Sequence, residues 1–128
     1  MILPMQNGRI EITDIKFPSK SLILSGDEDK NLLLTVEVNG TVRLDTPAKL
    51  PPNVLQKLLS DEEVTPADLV HSGFFNIERT TDVGFSCIRF SFGTSEMDGI
   101  FVTVFGEHLT LAFRSLCDDS VPVQSNSR

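Results

Sequence analysis

Apolar and polar side chains alternate over several short stretches of the chain, a pattern that predicts β-strands. The expected strands cover about 9–17, 21–25, 32–37 and 41–44 in the first half, and 74–80, 83–92, 100–105 and 108–114 in the second. No long amphipathic helix separates them, which argues against parallel βαβ units. The fold class expected is therefore α+β, mainly antiparallel β, with about eight strands in two meanders that form a sandwich or a curved barrel.

The last predicted hairpin is apolar on both faces of its strands. A two-residue turn at positions 106–107 places one apolar set toward the core and leaves Phe101, Phe105 and His108 on the opposite face. That second face is too apolar to meet only water. We expect more of the core, a ligand or a partner protein to cover it.

The hairpin around Asn39 and Gly40 is expected to keep one polar face. A three-residue loop over positions 38–40, with Gly40 in a left-handed conformation, pairs Val36 with Val42 and leaves Glu37 on the polar side. A two-residue turn at the same place would mix apolar and polar side chains on each face. The three-residue loop is therefore the predicted connection.

Two short helices are predicted between the two groups of strands. The first spans about Pro52 to Ser60, where apolar residues recur at helical spacing. The second begins at Thr65, with a proline at its first position, and stops at Gly73. We therefore expect a single domain over residues 1–116 with a helical insertion at about 52–72, followed by a flexible polar tail over 117–128.

The charge of the chain limits its partners. The net charge is −7, and residues 58–128 contain eleven acidic and four basic side chains, whereas residues 1–57 are balanced at seven each. Binding to nucleic acid or to an anionic membrane needs clustered basic residues, so neither is expected. No stretch has the length of a membrane span or the pattern of a secretory leader, and a cytoplasmic protein is the expectation.

The chain contains no recognisable catalytic motif, and no catalytic residue, metal or cofactor is predicted. Cys87 and Cys117 have no chelating spacing and are expected as reduced thiols, with Cys87 acting as a small core residue. His71 and His108 are the imidazoles available as a general base, so an enzyme that pairs one of them with a carboxylate stays an alternative.

The leading hypothesis for function is a non-enzymatic, acidic protein-interaction domain of the inhibitor, immunity or chaperone-like adaptor type. It would use an aromatic sheet face for self-association, most simply as a homodimer, or for binding a protein partner with basic character. The partner-binding residues expected are three apolar contacts and a charged rim, namely Phe101, Phe105, His108, Asp61, Glu62 and Glu63.

Besides the enzyme, two further alternatives remain open. One is a small-molecule-binding barrel or sandwich, because apolar cavities with few polar groups are typical of ligand sites. Its pocket would be lined by Phe85, Phe90, Phe92, Phe101 and Phe105. The other is a structural piece of a larger assembly, in which the acidic second half of the chain meets a basic neighbour.

Overall fold

The computed structural model describes residues 9–44, 46–93 and 99–118, and within them two antiparallel sheets form an α+β sandwich that does not close into a barrel. The first sheet contains β1 (Arg9–Thr13), β2 (Lys20–Gly26), β3 (Leu32–Val38), β4 (Thr41–Val42) and β5 (Ala48–Leu50). The second contains β6 (Phe74–Asp82), β7 (Phe85–Phe92) and β8 (Ile100–Phe105). Two helices and one short 3₁₀ turn complete the described fold: α1 (Pro52–Leu59), the turn Pro66–Leu69 and α2 (Gly106–Asp118). The predicted fold class is confirmed.

The core lies between the inner faces of the two sheets. Side chains of β2 and β3 such as Leu22 and Leu34 pack in the same buried cluster as Phe90 of β7 and Val102 of β8. The first sheet is ordered β1-β2-β3-β4, with β5 also paired to β3, and the second is ordered β6-β7-β8. Strands β1, β6 and β8 are therefore edge strands within the described residues.

Helix α1 forms where its apolar spacing predicts it, with Val54, Leu55 and Leu58 buried and a proline at its start. Its C-terminal carbonyl groups have an unexpected partner. The guanidinium of Arg79 in β6 donates to the carbonyl oxygens of Lys57, Leu58 and Glu62 at 2.7–2.8 Å. Because the last carbonyls of a helix lack intrahelical partners, these bonds cap α1 from a strand that is distant in sequence.

The second predicted helix is shorter than expected. A capping box between Thr65 and Asp68 starts it, and it ends as a single 3₁₀ turn at Leu69. The Lys57 ammonium of α1 contacts both carboxylate oxygens of Asp68 at 3.1 Å. The backbone N–H of Thr65 and then Lys57 lower the pKa of Asp68.

The predicted three-residue loop at positions 38–40 is wrong. Val38 pairs with Thr41 and Glu37 with Val42, so Asn39 and Gly40 form a two-residue turn. Both have positive φ, 54° and 81°, as a type I′ turn requires. Strand β4 has only two residues and both are exposed, so the mixing of faces that argued against this turn costs little.

The predicted final strand over His108–Arg114 is also wrong, because this segment belongs to helix α2. Its apolar residues fit two periods: Leu109 and Leu111 alternate as in a strand, whereas Leu109, Ala112 and Leu116 follow helical spacing. The helix buries the second set against the core. A strand would have buried only alternate residues, so packing against both sheets favours the helix.

The predicted tail over 117–128 lies outside the described residues from position 119 onward, and α2 runs to Asp118.

The first strand ends at Thr13, four residues before the end predicted for it, because Asp14 turns the chain. Asp14 is 4 % exposed. One carboxylate oxygen accepts the backbone N–H groups of Lys16 and Phe17 at 2.7 and 2.8 Å. The other accepts the N–H of Thr103 in β8 at 2.9 Å. Asp14 thereby ties the β1–β2 connection of one sheet to the edge strand of the other.

Candidate functional site

The second sheet has one face that the core does not cover, here called the outer face. Side chains of β7 and β8 alternate between the two faces, and Val102 and Val104 are buried in the core. Phe101, Thr103 and Phe105 therefore lie on the outer face, as the alternation in β8 predicts. All three are partly exposed. Their neighbours on β7, Cys87 and Ser91, are buried on the same face.

Aromatic rings meet at the end of the outer face where β7 begins and β8 ends. The rings of Phe85 and Phe105 pack edge to face with centroids 6.0 Å apart. The imidazole of His108, in the first turn of α2, packs edge to face on the same Phe105 ring at 5.3 Å. Phe85 is 63 % exposed. We call Val83, Phe85, Phe105 and His108 the aromatic patch, and include Val83 because it lies two residues before Phe85 in the turn of the β6–β7 hairpin.

Val83 occupies a backbone conformation that suits it poorly. The turn between β6 and β7 has Val83 at φ 50° and Gly84 at φ 82°, with Asp82 paired to Phe85. This is again a type I′ turn, which favours Asn-Gly because both central residues need positive φ. A β-branched residue rarely adopts such a φ. Val83 is also 88 % exposed, so burial of its side chain contributes almost no stability that could offset this strain.

Carboxylates border the aromatic patch. Asp82 precedes Val83 in the hairpin, and Glu107 precedes His108 in α2. Asp61 lines a small pocket of about 140 Å³ with Arg79 and Ile88, on the core side of the same sheet, and its carboxylate lies 3.7 Å from the Arg79 guanidinium. Asp82 and Glu107 are therefore the carboxylates that adjoin patch residues in the chain.

The predicted partner-binding residues are brought together only in part. Phe105 and His108 are in contact, whereas Asp61 lines a pocket with Arg79 and Ile88 on the other side of the sheet. Phe101 lies four residues before Phe105 on the same strand, about 13 Å away, and the Arg89 guanidinium lies 5.4 Å from its ring centroid. Glu62 and Glu63 are exposed beside the end of α1, and neither lines the pocket that Asp61 shares with Glu107.

The five phenylalanines of the alternative ligand pocket do not meet in one cavity. Phe90 and Phe92 are fully buried on the core face of β7. Phe85, Phe101 and Phe105 lie on the outer face of the same sheet, because residues of opposite parity in a strand point in opposite directions. The backbone of the sheet separates the two groups.

Cys87 lies on the outer face between Phe85 and Arg89, and it is a buried free thiol, as the sequence predicts. Its thiol contacts the Phe85 carbonyl oxygen at 3.4 Å. Burial, and then the negative charge of Asp82, raise the pKa of the Cys87 thiol. A protonated thiol is a poor nucleophile and a poor metal ligand, so this cysteine acts as packing.

The two histidines do not form a catalytic pair with an acid among the described residues. His71 is exposed in the turn after the 3₁₀ segment, with φ 61°, and His108 is exposed on α2. Neither imidazole bonds to a carboxylate in the part of the chain that the structure describes. In that same part, no three His, Cys, Asp or Glu side chains are grouped as a metal site requires, and no helix is long and apolar enough to cross a membrane.

Comparisons with known proteins found nothing similar: no protein-family model, no curated protein and no solved structure matches the chain significantly. Function therefore has to be argued from the site itself. The sequence analysis missed Val83, which it assigned to a strand. The signal available was the position of valine before Gly84 between two alternating stretches, where Asn or Asp is the usual residue.

Proposed function

We propose that the protein is a non-enzymatic protein-interaction domain that binds a partner protein through the aromatic patch. The observation that carries the proposal is the tip of the β6–β7 hairpin, where Val83 and Phe85 are exposed and Val83 is strained. Strained backbone and exposed apolar groups both cost stability, and they cluster at binding sites. Neither is needed to form the hairpin.

The size of the effect expected from Phe85 follows from its exposure. A phenylalanine side chain buries roughly 200 Å² when it is fully covered. At 63 % exposure, about 125 Å² remains for a partner to cover. At about 25 cal/mol per Å², this corresponds to up to about 3 kcal/mol, or about 100-fold in affinity. Phe85 would then act as a central anchor residue of the interface.

The rim favours a basic partner. Asp82 and Glu107 adjoin patch residues in the chain, and a second copy placed face to face would bring these carboxylates together. Complementary charge across an interface increases the association rate and excludes partners of like charge. We therefore propose a partner with an apolar centre and a basic rim, and the homodimer expected from the sequence stays a prediction for the same experiment.

The test compares two phenylalanines of similar exposure. Phe85→Asp removes the centre of the patch, whereas Phe17→Asp makes the same change at a residue that is 59 % exposed and lies outside it. The wild-type protein and both variants are immobilised and incubated with an extract of the source cells. A protein retained by the wild type and by Phe17→Asp, and lost with Phe85→Asp, is purified for titration calorimetry.

The expected result is a loss of at least about 10-fold in affinity for Phe85→Asp and little change for Phe17→Asp. Light scattering of the wild type over a range of concentrations tests the homodimer in parallel. The proposed function is contradicted if the wild type and both variants retain the same proteins equally. It is also contradicted if the wild type is a monomer and no retained protein is lost with Phe85→Asp. Circular dichroism of each variant shows that the fold is intact.

A further inference from the structure

Strand β1 leaves the outward backbone groups of Glu11 and Thr13 available for pairing, whereas the next outward N–H, that of Ile15, donates to the carbonyl oxygen of Thr103 in β8 at 3.0 Å. It is an edge strand whose only partner strand in the described residues is β2. The N–H of Asp14 donates to the carbonyl of Lys20 at 2.9 Å, continuing the β1–β2 register. Hydrogen bonding alternates along an antiparallel pair, so the backbone of positions 10, 12 and 14 faces β2. The N–H and C=O groups of Glu11 and Thr13 then point away from the sheet.

A groove runs beside this free edge. It has a volume of about 400 Å³, with β1 on one side and helix α2 on the other. The helix contributes a stripe of residues at helical spacing: His108, Leu111, Ala112 and Ser115. Leu111 is 50 % exposed, which leaves an apolar surface facing the free backbone groups. No hydrogen bond within the described residues uses the outward backbone groups of Glu11 and Thr13.

An edge strand beside an amphipathic helix is an arrangement that accepts an extended peptide as an additional strand. The main chain of the peptide bonds to the edge, and its alternate side chains contact the helix. We propose that the groove between β1 and α2 binds an extended segment of a partner protein that carries a basic residue opposite Glu11. This site extends the proposed function, because His108 belongs both to the groove and to the aromatic patch.

Charge identifies the occupant. Glu11 is exposed and is the one carboxylate that lines the groove, where the other ionisable side chain is the imidazole of His108. The neighbouring Arg9 does not neutralise it, because its guanidinium is paired with Glu37 at 2.7 Å. Opposite charges directly across a strand pair stabilise pairing, and like charges oppose it. A lysine or arginine across from Glu11 is therefore favoured.

The same argument disfavours a second copy of this chain. Two β1 strands related by a two-fold axis overlap fully only when Glu11 of one copy faces Glu11 of the other. Shifting the register by one pair removes this repulsion but shortens the overlap, which spans five residues in the described part of β1. A peptide from a different protein avoids both costs.

The probe for the experiment is a synthetic peptide, acetylated and amidated, that alternates valine and threonine and carries one central lysine. It is titrated into the ¹⁵N-labelled full-length protein and followed by NMR. The amide signals of Glu11 and Thr13 are expected to shift, and their hydrogen exchange is expected to slow by at least about 10-fold as new backbone bonds form. Signals of Leu111 should shift with them.

Two control peptides separate backbone pairing from side-chain contact. Methylation of the amide nitrogens that face β1 removes the donors without changing any side chain, and it should weaken binding by at least about 10-fold. Replacing the central lysine by glutamate should weaken binding about threefold at low salt, the scale of an exposed ion pair. Glu11→Gln should bring the lysine and glutamate peptides to nearly equal affinity.

Three results would overturn the proposal. The first is that the methylated peptide binds as well as its parent, and the second is that the NMR signals that shift belong to residues other than Glu11 and Thr13. The third is that the peptide binds only after residues 1–8 or 119–128 are removed, because the groove would then be a binding site for a segment of this chain. Phe85→Asp is expected to leave peptide binding unchanged. The proposal for the groove and the proposal for the aromatic patch can therefore be refuted independently.

Discussion

Replacing Val83 with asparagine tests whether the tip of the β6–β7 hairpin is strained. The two hairpin turns with Gly40 and Gly84 have the same geometry, with φ 54° and 81° at Asn39 and Gly40 and φ 50° and 82° at Val83 and Gly84. The first turn has the residue that this geometry favours, and the second does not. Val83→Asn should therefore stabilise the protein.

The magnitude follows from the cost of the conformation and the exposure of the side chain. A left-handed conformation costs an ordinary L-residue roughly 1–2 kcal/mol, and asparagine tolerates it better because its short polar side chain bonds locally. Val83 is 88 % exposed, so its replacement removes little buried apolar area. We expect a gain of about 1 kcal/mol in the free energy of unfolding. For 128 residues, with an unfolding entropy of about 2.1 cal/mol/K per residue, this corresponds to a rise of about 4 °C in Tm.

The assay is urea unfolding of four proteins followed by circular dichroism. Val83→Ala keeps the unfavourable φ but removes the β-branch, and it should gain less than Val83→Asn. Asn39→Val makes the reverse change in the other hairpin, where it should destabilise the protein by a similar amount. The m-value should stay constant across the series, since none of the changes alters the surface exposed on unfolding.

A Val83→Asn variant that is no more stable than the wild type would refute the reasoning, especially if Asn39→Val also had no effect. The same variant should bind the partner of the aromatic patch more weakly, because an amide replaces an exposed apolar group. Stability and binding then change in opposite directions, as expected where a binding site is maintained at the expense of stability.

Other predictions concern the contacts that hold the sheets and helices together. Asp14→Asn should lower the free energy of unfolding by about 1–3 kcal/mol in urea titrations, because the N–H of Thr103 then faces an amide donor. Arg79→Met, which keeps the apolar stem, should cost a similar amount and speed hydrogen exchange at the end of α1, and unchanged exchange there would contradict the capping role. The lowered pKa of Asp68 means that its stabilising contribution is complete above the ordinary value of 3.8 and is lost as the pH falls through the lowered pKa. Unfolding titrations from about pH 6 to pH 2 should therefore show a smaller acid-induced loss for Asp68→Asn than for the wild type.

Part of the candidate site was predictable from sequence. The alternation in β8 places Phe101 and Phe105 on one face, opposite to the buried Val102 and Val104, and both are partly exposed. Their neighbours could not be predicted, because the segment after Gly106 fits both a strand and a helix. His108 contacts Phe105 in either case, since it follows β8 closely in the chain. Phe85 reaches the same ring only through the pairing of β7 with β8.

The sequence by itself determined the strands β2, β3, β6, β7 and β8 and the helix α1, and with them the antiparallel α+β class. These elements depend on local patterns: the period of apolar residues, prolines at helix starts and glycines in turns. Tertiary structure decided that residues 106–118 form a helix and that β1 ends before Asp14. It also decided the capping of α1 by Arg79 and the groove beside β1. Each of these joins residues far apart in the chain, and their energies come from burial and hydrogen bonds that exist only once the two sheets are packed together.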